Sequence, residues 1–399
     1  MTHEETARPS LGLLRTLTDE HVLRALMRRR RLTRAELAAE TGISKPSVGE
    51  SVRRLTETGL LADTGERTPG GRGRGRVGSY YALTEGTGGA LAVSIAPEGV
   101  TAELVDAYGD TVSRAEAKIG RPARPEQVSA ALRAAAADVT RGARPVPRAA
   151  VVSAAGPVDR ASGRLVRLPD EPFILGDLDA AAVLRPLVGG PVAVDNDVNW
   201  AARAERDSAE RDGADPAPGG EFAYLFLGEG LGAAIVSNGE VVRGHAGLAG
   251  EIAHVITPGP GGRPVPFIDV FGALGLRQPG STAIDVRRLL AETAGDGPAA
   301  ASTRNVLAHA TAGVLAALIA LADPGLVIIG GPWGRQPALL ASIATAAAAL
   351  PRRVLLRPAA VAREPSLAGA RAEALRLLRI AIIDAARDRA GPLPRAESS

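Results

Sequence analysis

Residues 33–59, TRAELAAETGISKPSVGESVRRLTETG, decide how the front of this chain is read. Thr33 followed three residues later by Glu36 is a capping box, opening a short helix that carries Leu37 and Ala38. Gly42 suits the left-handed position just past that helix. Ser44 caps the next helix and Pro46 is tolerated in its first turn. Val48, Val52 and Leu55 recur at i, i+4 and i+7 and so face inward. That leaves Lys45, Ser47, Glu50, Ser51 and Arg54 on the outer face, and Gly59 stops the helix. Two helices joined at a glycine, the second with a short polar face, form a helix-turn-helix pattern.

Working outward, Thr18 is expected to cap a preceding helix, with Asp19 and Glu20 at its positive end and Val22, Leu23 and Leu26 along one stripe. Downstream, 60–63 and 79–83 read as the two strands of a hairpin. Its connection runs Arg67-Thr-Pro-Gly-Gly-Arg72-Gly-Arg74-Gly-Arg76. Glycine lets backbone approach a duplex closely, and each arginine can enter a narrow minor groove or hold a phosphate. Helix, turn, helix and basic wing in this order predict a winged helix-turn-helix over 11–84. Residues 1–85 carry 15 Lys+Arg against 11 Asp+Glu, a surplus of four in a chain whose net charge is +3, so the remainder is close to neutral. A basic head on a neutral body suits a polyanion-binding module fused to something else.

The whole chain has 399 residues, 45% of them apolar and 23% charged, an ordinary globular composition long enough for several cores. There is no cysteine, which rules out disulfides, thiolate catalysis and sulfur-ligated zinc. The longest apolar run, near 314–322, is short of what a bilayer needs, and Met1-Thr-His-Glu-Glu has neither a cationic start nor an apolar core. The expectation is a cytoplasmic protein with no membrane partner.

Residues 86–390 alternate short β-rich runs (90–95, 100–105, 149–153, 192–194, 223–227, 233–236, 326–329) with alanine-rich helical runs (130–139, 199–206, 304–322, 337–348, 368–387). This predicts an α/β body with largely buried sheets. The segment 208–220 reads as a polar loop and the last ten residues as a tail. Several motifs follow in order: Ala155-Gly-Pro-Val-Asp159; Val194-Asp-Asn196-Asp197-Val-Asn199, entering a helix; the glycine-rich turn Leu227-Gly-Glu229-Gly-Leu-Gly232; Arg243-Gly-His245-Ala-Gly-Leu-Ala-Gly-Glu251-Ile-Ala253-His254; Gly330-Gly331 after a strand; and Leu367-Ala-Gly-Ala-Arg-Ala-Glu373, opening the last helix.

Taken together, behind a winged helix, these motifs resemble the ROK family (repressor, open reading frame, kinase), and the front segment resembles the MarR-like head of its repressors. The resemblance covers nearly the whole chain. It implies an actin-like body of two RNase-H-type lobes with a sugar cleft between them, lobe one about 86–200 plus 368–388 and lobe two about 201–367. It implies that Lys45, Ser47 and Ser51 touch base edges beside the cap residue Ser44, that Thr33, Arg53 and Arg54 sit on phosphates, and that Arg72, Arg74 and Arg76 form the wing contact. In the cleft it implies that Asn196, Asp197, Glu251 and His254 bind the ligand, Asp197 standing where the family's kinases keep their general base. Amides and carboxylates suit sugars because hydroxyls are paired donors and acceptors.

Three departures oppose kinase activity. The strand matching the family's opening phosphate loop reads Val93-Ser94-Ile-Ala-Pro97-Glu98. The phosphate turn has Glu229 where the family has Thr or Ser. The family's cysteine-rich zinc loop is replaced by Gly261-Gly-Arg-Pro-Val-Pro-Phe267-Ile268-Asp269-Val-Phe271, to be held by packing, and Asp269 is a candidate replacement for a sugar-binding glutamate. Phosphoryl transfer depends on positioning and charge neutralisation, so these losses fall on essential terms. The expectation is therefore a transcriptional regulator, a repressor of carbohydrate-related genes. It would bind a double-stranded operator, sense a sugar or sugar phosphate in a degenerate kinase cleft, and need no metal or cofactor. As helix-turn-helix proteins commonly read paired half-sites, a homodimer or homotetramer is expected. An active sugar kinase with a DNA-binding head, and a regulator with a non-sugar effector or none, are the alternatives.

Overall fold

A computed structural model describes residues 11–68, 77–121, 123–166, 168, 173, 177–211 and 220–389. The head comprises α1 (Leu11–Arg29), β1 (Arg31–Thr33), α2 (Arg34–Thr41), α3 (Lys45–Glu57), β2 (Leu61–Arg67) and β3 (Ser79–Leu83). The first lobe follows with β4 (Gly89–Ala96), β5 (Gly99–Val105), β6 (Thr111–Ala117), α4 (Pro125–Thr140), β7 (Pro147–Ala154), α5 (Ala180–Leu184), β8 (Val192–Asn196) and α6 (Asp197–Arg211). The second holds β9 (Phe222–Leu227), β10 (Leu231–Ser237), β11 (Glu240–Val241), β12 (Ile256–Pro258), β13 (Pro264–Pro266), α7 (Phe267–Ala273), α8 (Val286–Thr293), α9 (Pro298–Ala322), β14 (Leu326–Gly330), α10 (Pro337–Ala347) and β15 (Leu355–Pro358). The chain then returns to lobe one as α11 (Pro365–Arg389).

The two large sheets repeat one plan. Lobe one has the order β6-β5-β4-β7-β8 and lobe two β11-β10-β9-β14-β15. In each, an antiparallel three-strand meander is followed by two parallel strands added beside its first member. This doubled plan is the RNase-H-type, actin-like body that the resemblance implies, so the α/β expectation holds. The central strands are buried on both faces and read as continuous apolar runs, Ala90–Val93 in β4 and Leu326–Ile329 in β14 among them. The edge strands β6 and β15 carry Arg114, Glu116 and Arg357, which is why they do not stand out as strands in the sequence. Helix α6 packs along α11 and also against β9 and β10, so the expected lobe division at residue 200 falls inside a helix.

In the head, the capping box is present: the Glu36 amide donates to Thr33 Oγ1 at 3.2 Å and the Thr33 amide to Glu36 Oε2 at 2.8 Å. Gly42 caps α2 at φ 71°. The Ser44 hydroxyl accepts from the Ser47 amide. The expected cap of the first helix fails. Thr18 lies inside α1, its hydroxyl bonded to the Leu14 carbonyl, because Leu11–Leu17 extend the helix in front of it. Helix α9 is long and apolar enough to cross a membrane by length and composition, which the run at 314–322 did not suggest. Half of it is buried, Leu307, Val314 and Leu315 completely.

Head and body share one core. Val22, Leu23, Leu26, Val52 and Leu55 of the head belong to the same buried cluster as Ala90, Val151 and Trp200 of lobe one and Leu378 and Ile382 of α11. Polar ties run alongside. Arg30 donates to Asp110 at 2.5 and 2.7 Å, Arg387 pairs with Glu20 at 2.7 Å, and the Leu83 amide donates to Tyr108 Oη at 3.0 Å.

Candidate functional site

The outer face of α3 exposes Ser44, Lys45, Ser47, Glu50 and Arg53. Ser51 is not among them: it is fully buried, and its hydroxyl donates to Asp19 at 2.5 Å. Ser51 lies three residues after Val48 and four before Leu55, so helical spacing puts it on the inward face. The Arg54 guanidinium also closes on Asp19, at 2.7 Å, and is half-buried. Thr33 is buried as well, its hydroxyl committed to capping α2. The structure therefore corrects the expected interface by removing Ser51 and Thr33 and giving Arg54 a structural partner. Arg53 pairs within α3 with Glu50 at 2.9 Å and Glu57 at 2.7 Å, contacts a phosphate would have to displace. Arg72, Arg74 and Arg76 lie outside the described residues. Arg31 and Arg34, passed over in the sequence, are exposed and stack on Tyr80 and Tyr81 at 5.3 and 5.1 Å. The basic run ending at Arg31 was the available signal.

Between the lobes lies a cavity of about 400 Å³. Asn196, Asp197, Glu251 and His254, expected together from the sequence, all line it. Strand β8 delivers Asn196 at its end and α6 begins at Asp197, so both stand at a helix N-terminus. Asn196 is held by backbone on both sides: Nδ2 donates to the Gly156 carbonyl at 2.9 Å and Oδ1 accepts from the Val198 amide at 2.9 Å. The glycine of the Ala155-Gly-Pro motif thus serves the amide. Asp197 Oδ1 also accepts from the Val198 amide, at 2.9 Å.

Asp195, quoted in the motif but given no role, organises this corner. It is buried, accepts from the Asn196 amide and from Asn199 Nδ2, both at 2.9 Å, and pairs with Arg243 of lobe two at 2.5 Å. It fastens the Asn196–Asp197 turn of lobe one to the loop that carries Glu251. That loop is pressed onto β10: the Ala233 amide donates to the Gly250 carbonyl at 2.9 Å, and a Cβ at Gly250, whose φ is 96°, would lie 1.8 Å from the Ala233 carbonyl oxygen. Burial pushes the Glu251 carboxyl up to about 7. His254 lines the cavity while remaining exposed.

Asp269 points elsewhere. It is on α7, outside the cavity lining, and pairs with Arg277 at 2.8 Å, so it does not stand in for a sugar ligand. The segment replacing the zinc loop is held by packing: Phe267, Ile268 and Phe271 are buried, and Phe271 stacks 5.5 Å from Phe267 and 5.6 Å from Trp333. Among the described residues no cluster of three or more His, Asp or Glu could hold a metal ion.

At the other end of the cavity are Glu98, on the tight β4–β5 turn, and Glu229, on the β9–β10 turn. Glu229 has a counter-ion that the sequence did not reveal. Arg121, from lobe one, lies 2.7 Å from it and 3.8 Å from Glu98. A carboxylate–guanidinium pair thus spans the lobes at this end of the cavity.

The fold and site define a two-lobed, sugar-kinase-like body joined rigidly to a winged helix-turn-helix. Residues 90–266 match the ROK family model and 15–62 a winged helix-turn-helix DNA-binding model, so the chain carries a ROK family domain behind a DNA-binding head. It resembles a solved ROK family transcriptional regulator, a homologue of the E. coli MLC protein, with TM-score 0.63 and 19% identity over 94% of this chain and 98% of that one, a likeness of fold. It is 33% identical over 183 residues to the bifunctional enzyme NanE/NanK of Brucella suis biovar 1, covering 44% of this chain and 33% of the enzyme. It is 21% identical over 247 residues to a putative xylose repressor of Caldicellulosiruptor, 61% of this chain and 59% of that protein. The chain thus spans about a third of the Brucella enzyme's length.

Proposed function

We propose that this chain is a transcriptional regulator, a repressor of carbohydrate-related genes, whose inter-lobe cleft senses a sugar and does not transfer phosphate. One observation carries the reading: the head has no packing boundary with the body. Helix α11 lies against α1 on one side and along α6 on the other, and α6 begins at Asp197 in the cleft. A ligand that shifts the start of α6 therefore has a continuous packed route to α3. The coupling it can exert equals its differential affinity for the two forms, typically about 5–150-fold. Ser44, Lys45, Ser47 and Arg53 are the proposed α3 contacts, with Arg72, Arg74 and Arg76 in the wing, on a double-stranded operator bound by a twofold pair of chains. The proposed site of action is the cytoplasm. Asn196, Asp197, Glu251 and His254 are the proposed sugar contacts.

The test begins with genome-wide footprints of the protein, followed by affinity measurements on a recovered fragment. Binding should fall steeply with salt, and at least one simple sugar, xylose and glucose being the first to try, should change it fivefold or more. No affinity for any duplex at low salt would overturn the regulator reading. The kinase alternative draws support from the Brucella relative and the retained Asp197. It predicts sugar-dependent ATP consumption that disappears in Asp197→Asn, whereas the Arg121–Glu229 pair supports the prediction of none.

A further inference from the structure

Resting on the reading of the cleft as a sugar site, we propose that Glu229, clamped by Arg121, is a specificity determinant that bars phosphorylated ligands and restricts the cleft to unphosphorylated sugars. Glu229 cannot readily turn away, because its turn is fixed from both sides. Trp333 Nε1 donates to the Gly228 carbonyl at 3.0 Å, and the Ile284 amide donates to the Glu229 carbonyl at 2.9 Å. Its side chain is 24% exposed and lines the cavity.

A guanidinium beside a sugar site is the group best suited to receive a phosphate, since it offers parallel donors to paired oxygens. Here that group is already spent. Arg121 donates to Glu229 at 2.7 Å and, through Nε, to the Pro97 carbonyl at 3.1 Å, with Glu98 3.8 Å away. The ionisable residues among the described lining are Glu98, Asp197, Glu229, Glu251 and His254, with no lysine or arginine, in a chain that has 47 of them. A phosphoryl group carrying about −1.5 to −2 charge would enter against carboxylates beside which Arg121 is already engaged. Hydroxyls meet no such barrier, because they donate to carboxylates. The pair therefore sorts ligands by charge.

The test uses full-length protein and four forms: unaltered, Glu229→Gln, Arg121→Gln and the double variant. Each is titrated calorimetrically with xylose, glucose, glucose 6-phosphate, N-acetylglucosamine and N-acetylglucosamine 6-phosphate. The unaltered protein should bind at least one free sugar, and the phosphate of any hexose it binds at least tenfold more weakly. Glu229→Gln, which frees Arg121, should narrow that ratio at least threefold, and adding Arg121→Gln should cancel the gain. A phosphate bound as tightly as its parent sugar, or a ratio unmoved by Glu229→Gln, would overturn the charge filter while leaving the sugar site standing. If neither free nor phosphorylated sugars bind, the sugar reading falls and the filter falls with it.

Discussion

At one end of the cleft a turn at the end of β8 presents Asn196 and Asp197, held by Gly156, Val198 and Asp195, with Asn199 and, from the other lobe, Arg243 holding Asp195 in turn. At the opposite end two turns present Glu98 and Glu229 with the Arg121 guanidinium between them. Both ends are inter-lobe contacts anchored by an Asp or Glu and an Arg. They differ in depth: Asp195 is buried, whereas Arg121 and Glu98 are exposed. Charge pairs of the same chemistry therefore do different work. The deep pair fixes the shape of the Asn196–Asp197 end, and the shallow pair sets the charge of the other.

Removing the deep anchor should have the largest effect. Asp195→Ala strands Arg243 and Asn199, and loss of one partner of a buried pair costs about 3–5 kcal/mol. Urea unfolding of the variant should show a loss near the lower figure, because Arg243 is one-third exposed. A loss below about 1 kcal/mol would make the two ends energetically alike.

The next effect follows pH. Glu251 titrates at about 7 in the folded protein against 4.5 for the free side chain, because burial disfavours its charge. Between these values the folded state holds more protons than the unfolded one. Its contribution to stability is therefore greatest below pH 4.5, declines through the window, and is flat above 7. Glu251→Gln should remove that decline, stabilising the protein at pH 8 relative to pH 5 by on the order of 2 kcal/mol. Identical pH profiles for the two proteins would refute the assignment. Smallest of all should be Arg121→Gln, costing less than about 1 kcal/mol, with that cost shrinking in high salt, as befits an exposed pair. A larger loss would make the shallow pair a structural anchor too.

Much of this was legible beforehand, for identifiable reasons. Capping, glycine stops and apolar spacing are local, so α2, α3 and the first strands of each sheet could be read directly. The cleft quartet was legible through motif order. What escaped was decided by distant partners. Ser51 shares the inward spacing of Val48 and Leu55, but its hydroxyl reads as outward-facing until Asp19, 32 positions away, supplies a buried partner. Glu229 reads as an unneutralised charge until Arg121, 108 positions away, arrives from the other lobe. Asp269 looked available for a ligand until Arg277 took it, a pairing that depends on how the chain turns after α7. Edge strands such as β6 were hidden because one face meets solvent and takes charged residues.

The core shared by head and body bears on how operators are arranged. With Leu23 and Leu378 in one cluster and Arg30 clasping Asp110, the neck has no swivel. Two such heads in an oligomer would be carried like the points of a fixed caliper. A single base pair inserted between half-sites moves them about 3.4 Å and a tenth of a turn out of phase, which a rigid mount cannot follow. On the proposed function, target promoters should then be distinguished by the interval between their half-sites as much as by the bases within them.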